Sequence, residues 1–179
     1  MITSLLPRPG PRPLAGLAIV FALVCGDASW GGRAAAQVGD VQVKAAIVLN
    51  IAKFVQWPDS TAPLVIGVVG DRALAAVIAE ADRRIGGRVV EVRAIEAVGN
   101  PAGCDVLYVG AVAPIDAVAL LERVSGPVLT IGETATFLRN GGIVRIFFEN
   151  RRPRFQINRR QADAAGLRLS SQLLSLAAQ

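Results

Sequence analysis

Apolar and polar positions recur along this chain with two different periods, and the changes of period mark its elements. Over residues 41–56, Val43, Ile47, Asn50, Ile51 and Phe54 fall at spacings of three and four. That predicts an amphipathic helix with one polar intruder, Asn50, on its apolar face. Trp57-Pro58 ends it, because the residue before a proline is pushed out of the helical region. Asn50 and Trp57 are then expected along one face. Residues 64–70, LVIGVVG, read as a buried strand. Asp71 can cap a helix over 72–84 with Leu74, Val77, Ile78 and Ala81 inward. Residues 89–95, 106–109 and 128–131 read as three more strands. A helix over 115–124, opened by Pro114, precedes the last of them. Residues 134–139 predict a short helix stopped by Asn140-Gly141-Gly142.

The C-terminal stretch is denser in signals. Residues 143–149 mix Ile143, Val144, Ile146, Phe147 and Phe148 with Arg145 and Glu149, a strand at least half buried. Asn150-Arg151-Arg152-Pro153 supplies turn chemistry. Phe155 and Ile157 then point one way and Arg154 and Gln156 the other. Asn158 can cap the next helix, with Gln161 in a capping-box position. Gly166 suits the left-handed residue that ends it. Ser170 or Ser171 caps the last helix, with Leu173, Leu174 and Ala177 on one face. The expected fold is α/β: a mostly parallel central sheet of about five to six strands, helices on both faces, and a C-terminal β-hairpin followed by two helices.

Composition changes this picture at the N-terminus. Arg8 and Arg12 precede an apolar core at 14–24, and Ala34-Ala35-Ala36 forms a small-residue cleavage site before Gln37. Residues 1–36 therefore read as a cleaved signal peptide, and 37–179 as one domain, large enough for a real core. The net charge of +5 is partly a property of the leader: residues 37–179 hold 16 basic and 13 acidic side chains, a net +3. No basic cluster is interleaved with aromatics, so nucleic-acid binding has no support.

Candidate chemistry is sparse. The chain has no histidine, which removes Ser-His-Asp and Cys-His catalysis and histidine-ligated metals. Cys104 is the only cysteine beyond the leader and reads as a small buried thiol in a strand. The glycine-rich dinucleotide and phosphate fingerprints are absent. Asp71 and Glu133, at the strand C-termini where α/β folds bind ligands, read as helix caps. No enzyme activity, cofactor or metal is expected. Glu149 and Arg154 can pair across the hairpin. Arg151, Arg152, Arg154, Arg159 and Arg160 form a local basic group, most simply a solvated face.

Four ordered stretches carry a family resemblance. They are VKAAIVLNIAKFVQWP (43–58), GCDVLYVG (103–110), VLTIGE with Phe137 and Gly141-Gly142, and the pattern from Gly141 to Ala178 with its RFQIN, AGL and SSQLL runs. Together they resemble the YfiR-like family of bacterial periplasmic proteins across nearly all of 37–179. The resemblance implies a periplasmic α/β protein. It also implies a repressor acting on the extracytoplasmic sensor domain of a membrane-bound diguanylate cyclase, so lowering cyclic-di-GMP signalling and biofilm formation. An outer-membrane lipoprotein partner and a homodimer belong to the same implication. The family's founding pattern includes disulfide-forming cysteine pairs. Only Cys104 matches one here, which puts disulfide-based redox control in doubt.

The reading is thus a non-enzymatic periplasmic regulator. Its partner would be the periplasmic domain of a diguanylate cyclase or a sensor kinase. Expected contact residues are Asn50, Phe54, Trp57 and Pro58 at the end of the first helix, and Glu149, Arg152, Arg154 and Asn158 around the hairpin. The alternative is a periplasmic small-ligand-binding protein feeding a sensor kinase, with its pocket at the strand C-termini or around Trp57.

Overall fold

Continuous apolar runs need cover on both faces, and the observed architecture supplies it. In the computed structural model the chain runs α1 (Gly31–Lys53), β1 (Val55–Gln56), β2 (Leu64–Val69), α2 (Arg72–Glu80), β3 (Arg84–Ile85), β4 (Arg88–Ile95), β5 (Val106–Val109), α3 (Pro114–Glu122), β6 (Leu129–Gly132), β7 (Val144–Glu149), β8 (Arg152–Ile157), α4 (Arg159–Ala164), β9 (Arg168–Leu169) and α5 (Ser171–Leu176). The structure describes residues 31–58, 62–81, 84–96, 98–110, 114–150 and 152–178. Residues 37–179 form one unit. The leader expected over 1–36 lies outside the described residues, apart from the backbone of 31–36. Among the described residues no helix is long and apolar enough to cross a membrane.

The main sheet has seven strands in the order β3-β4-β2-β5-β6-β7-β8. Strands β2, β5 and β6 are buried at every position. Leu64, Ile66, Val68, Val106, Tyr108, Leu129 and Ile131 pack on one face, under α1, α2, α4 and α5. Val69, Leu107 and Val109 pack on the other, against Leu120 of α3 and Phe137. A two-stranded antiparallel sheet, β1 with β9, ties the end of α1 to the C-terminal segment.

Four expectations need correction. The sheet is mixed in direction and has seven strands. The pairings from β4 through β7 are parallel, but each edge turns back, β3 on β4 and β8 on β7. The β3–β4 turn is Gly86-Gly87, at φ 58° and 84°. Two consecutive positive φ values make the kind of two-residue hairpin that stops α2 from reaching Arg84. Residues 134–140 are turns rather than a helix, because the Phe137 ring drops into a slot between Gly132 and Gly142. On α1 the buried face is Ala45, Val48, Leu49, Ile51 and Ala52. Small alanines let the helix lie close to the sheet, and Val43 and Asn50 turn outward. The helix ends at Lys53, so Asn50 and Trp57 share no helical face.

The C-terminal expectations hold in more detail. The hairpin joins β7 to β8 through Asn150 at φ 49°. The Asn158 side chain accepts the Gln161 N–H at 3.1 Å and caps α4, and Gly166 follows at φ 75°. Ser170 caps α5 by accepting the Leu173 N–H at 3.1 Å.

Candidate functional site

The expected contact residues fall into two groups on different elements. At the hairpin, Glu149, Arg152 and Arg154 are exposed. Arg154 Nε lies 3.6 Å from Glu149 Oε2, with side chains 53 % and 60 % exposed, a pair worth roughly 0–1 kcal/mol. Arg145, one strand in, donates to Gln156 Oε1 at 3.2 Å and places its guanidinium 4.7 Å from the Phe147 ring centroid. Asn158 is structural. It caps α4 and also donates from Nδ2 to Leu138 O at 3.3 Å, and its backbone N–H reaches Ile143 O at 2.8 Å. Arg159 and Arg160 open α4 and, with Arg139, rim an open depression of about 650 Å³. The basic side chains therefore fall into two groups at the two ends of β8, one at the hairpin tip and one at the start of α4.

At the other group, Asn50 and Pro58 are exposed and Phe54 is half-buried against the core. Trp57 does line a pocket, one of the two places expected, and leads to an ion pair the sequence did not announce. Its indole N–H donates to the Asp105 carbonyl at 3.3 Å. The Arg88 guanidinium lies 5.8 Å from its ring centroid, at the outer limit of a cation–π contact. Arg88 Nη2 donates to Asp105 Oδ2 at 3.0 Å and to Pro63 O at 2.8 Å, and Nε donates to Ala62 O at 2.6 Å. The same Oδ2 accepts the Val65 N–H at 2.8 Å. The Arg88 side chain is 6 % exposed and that of Asp105 21 %. A charge so withdrawn from water is tolerable only when paired and hydrogen-bonded. Two backbone carbonyls and one carboxylate meet most of that need, but Arg88 Nη1 has no partner among the described residues.

These residues line a pocket of about 380 Å³ with Glu91 and Pro127. It lies at the N-terminal ends of β2, β4 and β5, the opposite end from the one expected of an open α/β sheet. The C-terminal ends are engaged otherwise. Asp71 caps α2 through the Leu74 N–H at 2.9 Å. Glu133 is held by other partners: Lys44 Nζ of α1 donates to Oε2 at 3.0 Å and lies 2.8 Å from Oε1, the oxygen to which the buried Tyr108 hydroxyl donates. Only the sheet order brings Arg88 and Asp105 together. They stand 17 residues apart, on strands separated by β2, so the sequence carried no spacing that could find them.

Cys104 is buried at the wall of this pocket. Burial pushes its thiol above the ordinary value; Arg93 pulls it down, Asp105 raises it further and the Gly67 backbone lowers it. A protonated, shielded thiol is a poor nucleophile. Among the described residues no group of three or more acidic or thiol side chains is placed to hold a metal. The geometry offers surfaces, a buried ion pair and a pocket. The sequence model of the YfiR/HmsC-like family matches residues 41–178. A search of curated proteins returns no match.

Proposed function

The chain belongs to the YfiR/HmsC-like family, which points to periplasmic regulators of cyclic-di-GMP signalling, and on that premise we propose that it is an exported, non-enzymatic repressor of an inner-membrane signalling protein. Its target is the periplasmic sensor domain of a diguanylate cyclase. Binding represses by favouring the off state, to the extent that affinity for the two states differs. The observation that carries the surface assignment is the exposure of Arg152 and Arg154 on the hairpin, with Arg159 and Arg160 exposed at the start of α4 beyond the other end of β8. A surface of one sign steers a partner of the other and sets its register. Trp57 and Pro58 supply the second contact.

The test is intracellular cyclic-di-GMP in the native host after deletion of this protein. A rise is expected, reversed by the full chain but not by a form lacking residues 1–36. An unchanged level would overturn repression of a cyclase.

A further inference from the structure

We infer that the pocket between Trp57 and Arg88 is a binding site for a small organic monocarboxylate with a planar apolar body. This stands apart from the choice of protein partner. Arg88 forms part of the pocket wall, yet its Nη1 has no partner among the described residues and no contact with water. An unmet guanidinium N–H in a protein interior is costly, and a carboxylate is the acceptor that best matches its planar fork. Trp57, Pro63, Val65 and Pro127 supply apolar walls, and about 380 Å³ is the small end of the range for small-molecule sites. Glu91 lines the same pocket and Asp105 is already committed to Arg88. A second negative charge on the ligand would meet those two carboxylates unpaired, so polyanions are excluded. Because Nη1 is shielded, the ligand carboxylate must enter past the indole, and the ring moves when it binds. The bond from the indole N–H to Asp105 O, long at 3.3 Å, is the contact that gives way.

The test uses the full chain labelled with ¹⁵N, titrated with benzoate. The Trp57 indole N–H resonance, assigned by its loss in Trp57→Phe, should shift and saturate. Citrate and benzyl alcohol should leave it in place. Arg88→Lys keeps the charge but loses the fork, and should weaken benzoate by about tenfold or more, the worth of one charge-assisted hydrogen bond. Glu91→Gln leaves the Arg88–Asp105 pair intact, so it decides the matter even where Arg88→Lys fails to fold. It should tighten benzoate severalfold by removing a like charge. The inference is overturned by a shift that never saturates, by citrate binding as well as benzoate, or by a Glu91→Gln affinity that is unchanged or weaker. Cyclic-di-GMP levels play no part in these readouts, so their outcome is separable from that of the repression test.

Discussion

Phe137 is 1 % exposed, and its ring is held between two glycines. A methyl group built on either Gly132 or Gly142 would run into that ring, and at Gly142 also into the Phe137 carbonyl at 2.8 Å. Overpacking a site with backbone on one side leaves little room to relax. Gly142→Ala should therefore cost about 2–3 kcal/mol, read as a lower denaturation midpoint with an unchanged slope. Asp105→Ala removes the carboxylate that pairs with Arg88 and strands a buried charge. The expected loss is about 3 kcal/mol, the lower end for a buried pair because Asp105 keeps some exposure. Cys104 makes a pH prediction. Its thiol is raised in the folded state, so the unfolded chain releases that proton first. The stabilisation is complete below the unfolded thiol value, near 8.5, and is lost as pH climbs through the folded value. The stability of Cys104→Ala should fall less than that of the parent over this alkaline window, measured by denaturant titration at matched ionic strength.

At the scale of elements, α1 is joined to the sheet by Lys44 and Glu133, 20 % and 34 % exposed. Glu133→Gln keeps an acceptor for Tyr108 and loses the charge pair. A loss of about 1 kcal/mol is expected, discounted for solvent screening, and Lys44→Met should add little on top of it. How much of this layer was readable follows from how local each signal is. Asn158 and Ser170 were legible because a cap is decided within four residues. Gly86-Gly87 was equally legible as a hairpin, and the helical pattern of 72–84 hid it. The face of α1 was misjudged because alanine carries little weight in a hydrophobic pattern yet packs closest. Residues 134–140 could not be read locally, since the glycines that hold Phe137 lie on β6 and just before β7.

For the whole molecule, the resemblance was legible because its motifs meet in space. Lys44 of the first touches Glu133 of the third, and Phe137 is held by the glycines around it. Asn158 of the last bonds the Leu138 carbonyl beside them. Trp57 and Asp105 of the pocket lie in two of those motifs but Arg88 lies in none, so the Arg88–Asp105 pair needed the strand order. If the start of α4 belongs to the docking surface, Arg159→Glu combined with Arg160→Glu should slow association with the periplasmic cyclase domain and flatten its salt dependence. Thermal stability should change little, because both side chains are exposed. Surface plasmon resonance across ionic strength, beside a melting curve, separates these effects.

Cys104, finally, can serve as a timekeeper. Its sulfur sits where a Cβ on Gly67 would come within 2.7 Å, so no bulky reagent reaches it while β2 and β5 remain paired. In a Cys25→Ser chain, the rate of labelling by an aromatic disulfide becomes a count of how often the centre of the sheet comes apart. Under slow labelling that rate follows the opening equilibrium. A molecule seated in the pocket that Cys104 helps to line would slow the count by favouring the closed state.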